Sequence, residues 1–182
     1  GDCGVILAAA GTCLIAVEYL PVTTDPGYND TIEINYTDGA AGQIATRDIT
    51  AVAVNPALLD ISETDPYNFG TLPTGANTTH VFTITNNGEV TATGMSETGL
   101  AAPYTYVGGS YPGTTGDCST TLAAAASCTI NVQYSPVTIA THPDTIEFAY
   151  TDGVNPQTST RDVTGTGVAP ALIDISESDP YD

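Results

Sequence analysis

The chain has 182 residues, of which 21 are acidic and only two are basic, so its net charge is −19. Such an acidic surface repels phosphate groups and anionic lipids, which excludes nucleic acid as a partner. No apolar run approaches the ~20 residues that a membrane-spanning helix needs, which predicts no direct membrane insertion by this segment. The 41% of hydrophobic residues fall in ordered patterns, so we expect the chain to fold.

The cysteines form two pairs with the same spacing: Cys3 with Cys13, and Cys118 with Cys128. A zinc site needs further ligands at short spacing, and His80 and His142 lie at unrelated positions. The even count favours one disulfide in each pair, which would stabilise the fold by roughly 3 kcal/mol. Disulfides indicate an oxidising compartment, most simply the outside of a cell.

The sequence repeats itself with a period of about 114 residues. The opening GDCGVILAAAGTC returns as GDCSTTLAAAASC, and ALLDISETDPYN at 57–68 returns as ALIDISESDPYD at 171–182 with nine of twelve residues identical. We therefore predict three parts: the C-terminal part of one repeat (1–56), a complete repeat (57–170) and the first strand of the next (171–182). A half-domain would expose unpaired strand edges, so we expect a segment of a tandem array or of a polymer.

Two short junctions separate these parts. VNPA at 54–57 and VAPA at 168–171 each hold one proline and almost no flexible residues. Such connections favour a stiff rod over loosely joined domains.

Apolar residues of the complete repeat alternate with polar ones along several short segments. The apolar faces are Phe82 and Ile84; Cys128, Ile130, Val132 and Tyr134; and Ile146, Phe148 and Tyr150. Turn signals such as NNG and TDG separate the segments. A period of two is typical of half-buried strands. We therefore predict an all-β fold of tandem immunoglobulin-like antiparallel β-sandwiches, each stapled by a disulfide and built from about seven strands.

Three stretches carry a resemblance to a known family: YNFGTLPTGANTTHVFTITNNGEV, GDCSTTLAAAASCTINVQYSP and RDVTGTGVAPAL. They resemble the Hydin-type, or ASH-like, immunoglobulin-related repeats of bacterial secreted and surface proteins, and are similar to the choice-of-anchor-D group. The resemblance implies a sandwich of seven to nine strands used as a building block, and it brings no catalytic residues. In the first part of the chain, TAVAV at 50–54 replaces the closing Gly-Thr-Gly.

Carboxylates gather just beyond each junction. The first cluster is Asp60, Glu63 and Asp65, and it recurs as Asp174, Glu177 and Asp179. Hard oxygen ligands at domain borders suit calcium, which would rigidify the array. The alternative is a solvated acidic strand edge that deters aggregation, and the DxDxDG pattern of a dedicated calcium loop is absent.

The two arginines, Arg47 and Arg161, occupy the same position in the two copies of the sequence TRD. Arg161 has the same parity as Val163, which is expected to face inward. We therefore expect the Arg161 guanidinium at one end of the sandwich, in a structural ion pair with a carboxylate. Ligand binding is the alternative role.

Tyr104, Tyr106 and Tyr111 lie in a glycine-rich loop. Loop tyrosines can grip a sugar or a partner protein, although they more often pack under their own loop. No G-x-S-x-G elbow is present, and nothing in the sequence pairs a histidine with a nucleophile, so no catalytic residue is predicted.

These features predict a non-enzymatic extracellular structural protein: the shaft of a surface fibre, filament or adhesin stalk. Its partners would be neighbouring repeats or copies of itself. The alternative is a binding module of a secreted or cell-surface protein that takes a surface glycan or a protein through the tyrosine loop. An accessory region of a secreted enzyme is a third hypothesis.

Overall fold

The computed structural model describes residues 1–176, and it divides into a first unit, Gly1–Val54, and a second unit that begins at Asn55. Every regular element in this part of the chain is a β-strand. Within the same residues we find no helix able to span a membrane.

The first unit contains one antiparallel hairpin, formed by β1 (Asp25–Thr37) and β2 (Gly42–Ala53). Asp38 closes the turn, because its Oδ1 accepts hydrogen bonds from the backbone N–H groups of Ala40 (2.8 Å) and Ala41 (2.9 Å). These bonds hold the pKa of the Asp38 carboxyl below its usual value. The segment 13–22 forms no regular strand in this unit.

The second unit, as far as residue 176, contains nine strands: β3 (Leu59–Ile61), β4 (Tyr67–Pro73), β5 (Thr78–Asn86), β6 (Ala92–Thr98), β7 (Tyr104–Tyr106), β8 (Thr121–Leu122), β9 (Ser127–Tyr134), β10 (Thr141–Thr151) and β11 (Pro156–Val168). They form a four-stranded sheet of order β3-β5-β9-β7 and a five-stranded sheet of order β4-β11-β10-β6-β8. Alternation predicted about seven strands and the resemblance seven to nine; β3, β7 and β8 are only two or three residues long, too short for alternation to indicate.

One pair of neighbours departs from the predicted antiparallel pattern. Strand β4 pairs with β11 in parallel, with Tyr67 opposite Val163 and Pro73 opposite Val168. All other neighbouring strands in the described residues are antiparallel. Alternation along a strand gives no information on the direction of its neighbour, so the sequence could not show this.

The core lies between the two sheets of the second unit. Along β9 every second residue is buried, and Ile130, Val132 and Tyr134 are fully enclosed. From the facing sheet, Ile146 and Phe148 of β10 are equally buried. Each such side chain contributes about 1.5–3 kcal/mol when it leaves water. The predicted apolar faces and the immunoglobulin-like β-sandwich are therefore confirmed.

Both predicted disulfides are present, Cys3–Cys13 and Cys118–Cys128. In the second unit, Cys118 and Cys128 are buried in the core. The second bond ties the loop after β7 to the start of β9, and the prediction of one disulfide per repeat is confirmed.

Candidate functional site

Residues 55–58 begin the second unit at the first junction, and they are hydrogen-bonded to the rest of that unit. We name them the entry segment. The backbone N–H and the Nδ2 of Asn55 both donate to Glu89 Oε2, at 2.8 and 3.1 Å, and Glu89 returns a bond from its N–H to the Asn55 carbonyl (3.1 Å). Ala57 N–H donates to the Asp152 carbonyl at 2.9 Å. The entry segment is therefore part of the sandwich and not a free linker.

A buried asparagine anchors the same segment. Asn86 is fully buried at the end of β5, and its side chain has five partners. Oδ1 accepts from the N–H groups of Leu58 (3.1 Å) and Gly88 (3.0 Å). Nδ2 donates to three carbonyls, those of Val90 (2.8 Å), Leu122 (3.1 Å) and Ala123 (3.2 Å). Every polar atom of this side chain is satisfied, as a buried amide requires.

The NNG stretch, which contains Asn86, predicts only a turn. A signal was nevertheless present, because residue 86 continues the inward parity of Phe82 and Ile84. A polar residue at an inward position predicts a buried hydrogen-bond hub.

Arg161 and two carboxylates form a group that we name the arginine clasp: Arg161, Asp60 and Asp65. Nη2 of Arg161 lies 3.8 Å from Asp60 Oδ1, and Nη1 lies 3.8 Å from Asp65 Oδ2. The guanidinium also donates to the carbonyl of Ile61. Its side chain is only 13% exposed, whereas the two carboxylates remain largely in water.

The clasp fixes the segment in which the chain changes sheets. Strand β3 belongs to the four-stranded sheet and β4 to the five-stranded sheet, and residues 62–66 connect them. Asp65 adds a further bond, because its Oδ1 accepts from the backbone N–H of Asp162 at 3.0 Å. The last residues of β3 and Asp65 of the crossing segment are therefore both held on β11.

The second predicted arginine has different surroundings. Arg47 lies on β2 opposite Ile32, as Arg161 lies on β11 opposite Ile146. Arg47 is exposed, and within residues 1–176 it forms no salt bridge. The first unit holds no copy of β3 or of the crossing segment that surrounds Arg161 in the second unit.

Within residues 1–176, the predicted calcium ligands do not lie together in one group. Asp60 and Asp65 face Arg161, and Glu63 turns instead toward His80, with Oε1 3.2 Å from Nε2. In residues 1–176 no three His, Cys, Asp or Glu side chains are grouped to hold a metal ion.

In the second copy of this cluster, Asp174 is exposed, while Glu177 and Asp179 lie outside the described residues. Calcium binding therefore stays a prediction.

The predicted loop position of the three tyrosines is wrong for Tyr104 and Tyr106, which form strand β7, and Tyr111 alone lies in the loop that follows. Tyr104 and Tyr106 are 3% and 5% exposed, and the Tyr111 ring lies 5.8 Å from that of Phe148. Burial raises the pKa of the Tyr111 phenol to about 12, with a further contribution from the charge of Glu97. The rings of Tyr104 and Tyr106 are therefore not available to grip an external ligand, and the partly buried ring of Tyr111 packs against the core.

The two histidines have structural contacts that the sequence did not predict. The Nδ1 of His142 is hydrogen-bonded to the Tyr134 hydroxyl (2.8 Å), and its Nε2 to the Thr138 hydroxyl (2.9 Å). His80 stacks on the Tyr67 ring with centroids 4.1 Å apart. Tyr134 and Tyr67 lie on other strands, so the sequence pattern did not indicate these two contacts.

Several solved structures are similar to this chain. The Vibrio cholerae VesB protease is 21% identical with a TM-score of 0.48, over 62% of this chain and 32% of that chain. The ASH/PapD-like domain 7 of human CEP192 is 12% identical with a TM-score of 0.44, over 62% of this chain and 87% of that domain. A protein of unknown function from Porphyromonas gingivalis W83 is 16% identical with a TM-score of 0.48, over 81% and 69%.

The chain thus spans about a third of the VesB protease. No curated protein matches the sequence significantly. The model of the HYDIN/CFA65/VesB-like, Ig-like domain family matches residues 57–166, which confirms the Hydin and ASH-like resemblance. On this match, which covers the sandwich core from β3 to β11, the chain belongs to the HYDIN/CFA65/VesB-like family of Ig-like domains.

Proposed function

We propose that this protein is a non-enzymatic, extracellular structural protein whose β-sandwich repeats form the shaft of a surface fibre, filament or adhesin stalk. The observation that carries the proposal is the parallel pairing of β4 with β11. In parallel neighbours, the start of one strand and the end of the other lie at opposite ends of their ladder. Tension applied along the chain therefore pulls β4 and β11 past each other and loads all their hydrogen bonds together.

The entry segment supports the same role. Its hydrogen bonds to Glu89, Asn86 and Asp152 leave little free chain before the first strand of the sandwich. The arginine clasp then holds the crossing segment on β11, beside the parallel ladder. Tension applied at residue 55 is therefore transmitted to the β4–β11 ladder through hydrogen-bonded residues and not through a free linker.

The disulfides and the net charge support an extracellular position. Disulfides persist in oxidising compartments, and both cysteine pairs are bonded. The net charge of −19 keeps neighbouring fibres apart at low salt, and divalent ions would screen it. The binding-module alternative loses its main support, since the tyrosines that suggested it are packed against the core.

Single-molecule pulling tests the mechanical role. Handles at residues 55 and 168 load the β4–β11 ladder in shear, and we expect a high unfolding force. The matched control has handles at Ile139 and Val168 of the same protein, which separate the adjacent ends of β10 and β11 and break their ladder one bond at a time. Equal forces along the two axes would count against a load-bearing shaft.

Electron microscopy of the native material, with intact mass measured under non-reducing conditions, tests the assembly. We expect long uniform filaments, or rods whose length scales with the polypeptide mass. Compact particles with neither form would overturn the shaft role.

A further inference from the structure

The turn after β5 contains Asn87 followed by Gly88, the only Asn-Gly pair of the sequence. Glycine has no side chain to shield its backbone nitrogen, and it adopts a wide range of conformations. Its nitrogen can therefore attack the side chain of a preceding asparagine, a residue that is readily lost on heating. The side chain of Asn87 is exposed, so water can reach its amide. This pair is the asparagine position of the sequence that is most open to deamidation.

The fold requires the glycine of this pair. A Cβ at Gly88 would stand 2.1 Å from the Pro56 carbonyl oxygen and 2.6 Å from the Cα of Ala57, which is too close for any side chain. Gly88 is buried against the entry segment, and a larger residue would displace that segment. Packing of the entry segment therefore keeps glycine at residue 88, and with it the reactive pair.

Backbone hydrogen bonds hold the turn on both sides of the glycine. The Asn87 N–H donates to the Leu58 carbonyl at 2.7 Å, and the Glu89 N–H donates to the Asn55 carbonyl at 3.1 Å. Oε2 of Glu89 in turn accepts from the N–H and from the Nδ2 of Asn55. All four bonds join the turn to the entry segment, which therefore fixes the backbone of the turn while it is docked.

Deamidation begins at the Gly88 nitrogen. This nitrogen loses its proton and forms a bond to Cγ of Asn87, and the side-chain nitrogen leaves with that proton as ammonia. Water then opens the imide ring and leaves aspartate or isoaspartate at residue 87. In the structure the Gly88 N–H donates to Oδ1 of the fully buried Asn86 at 3.0 Å. The peptide group of Gly88 therefore cannot rotate toward Cγ without breaking a buried hydrogen bond.

We propose that Asn87 is a deamidation site that the docked entry segment protects, and that it reacts when this segment is released. An isoaspartate at residue 87 adds a methylene group to the backbone, between the N–H that binds Leu58 and the nitrogen of Gly88. The altered turn no longer matches the entry segment, so the reaction makes the release permanent. The protection applies to any release of the segment and does not depend on the mechanical role.

Peptide mapping by mass spectrometry tests the protection. The 182-residue chain is incubated at mildly alkaline pH, either folded or in urea, and deamidation is followed through the mass gained when OH replaces NH2. We expect Asn87 to react about tenfold or more slowly in the folded chain, because the reaction then requires local opening of the turn. Asn87→Asp should remove the signal, which identifies the position.

A pair of variants separates the entry segment from the rest of the fold. Glu89→Ala removes the acceptor of two bonds from Asn55, so the folded chain should react about threefold or more faster. Gly165→Ala is the matched control, since it disturbs packing at the Tyr134 ring and leaves every bond of the turn in place. We expect it to react at the wild-type rate, and urea midpoints show how far each variant is destabilised. Asn55→Ala removes only the Nδ2 bond and replaces Glu89→Ala if that variant does not fold.

Three results would overturn the proposal. Equal rates in the folded chain and in urea would mean that the turn is not protected. Equal acceleration in Glu89→Ala and Gly165→Ala would assign the protection to the whole sandwich and not to the entry segment. A folded Glu89→Ala chain that reacts at the wild-type rate would show that docking of the entry segment has no part in it.

Discussion

Gly165 lies against the ring of Tyr134, so close that a Cβ at Gly165 would stand 2.6 Å from both Cε1 and Cζ. The next glycine on the same face, Gly167, would bring a Cβ within 2.2 Å of the Thr138 carbonyl oxygen. Tyr134 is fully buried at the end of β9. The closing Gly-Thr-Gly is therefore required by close packing at the end of β11 and not by backbone flexibility.

Gly165→Ala should destabilise the second unit by about 1–3 kcal/mol, because the fully packed tyrosine ring cannot move aside without strain. Urea denaturation monitored by tyrosine fluorescence measures the change. Thr166→Ala, the adjacent residue on the opposite face, is the control and should cost less. A Gly165→Ala protein with unchanged stability would show that the ring has room that the structure does not indicate.

Asn86→Ala should cost about 1–3 kcal/mol, because Leu58 and Gly88 lose the acceptor of their N–H groups. Asn86→Asp should cost more, since a carboxylate oxygen would face the three carbonyls that now accept from Nδ2. Asn87→Asp makes the same chemical change one residue further on, where the side chain is exposed, and should have little effect. Thermal denaturation of the three variants measures these changes. Equal melting temperatures of Asn86→Asp and Asn87→Asp would contradict the role of Asn86 as a buried hydrogen-bond hub.

Loss of the Cys118–Cys128 bond should destabilise the second unit by roughly 2–4 kcal/mol. The double variant Cys118→Ala, Cys128→Ala is compared with the wild type in urea, with and without reductant. Reductant should lower the midpoint of the wild type. It should leave the second-unit transition of the variant unchanged, since that unit then has no bond to reduce.

The second unit should lose stability in alkali. Burial raises the pKa of Tyr111 from 10.0 to about 12, so the folded state holds the phenol proton more tightly than the unfolded state does. The pKa values of Tyr104 and Tyr106 are raised in the same direction by burial. This stabilisation is complete below pH 10.0 and is lost as the pH rises through about 12.

Urea midpoints measured across this range, together with tyrosinate absorbance, test the pH dependence. Tyr111→Phe should reduce the loss of stability at alkaline pH. Tyr36→Phe, at a half-exposed position of the first unit, is the control. Ionisation of all ten tyrosines near pH 10.0 without unfolding would contradict the packed loop.

The sequence by itself determined the properties that depend on local spacing. Alternation placed Phe148 and Val132 on inward faces, because side chains of a strand point to opposite sides in turn. The even number and equal spacing of the cysteines indicated both disulfides, and the repeat predicts a complete unit at 57–170. Gly-Thr-Gly and its neighbouring stretches carried the family resemblance.

Only the tertiary structure decided which distant residues meet. The Arg161 guanidinium reaches a carbonyl 100 positions away at Ile61, and the Asp162 N–H reaches Asp65 across 97 positions. The direction of β4 beside β11 and the burial of the tyrosines of β7 and of the loop after it follow from how the two sheets close over one core. Local patterns specify which face of a strand is apolar, whereas partners and exposure depend on contacts between segments that no spacing rule connects.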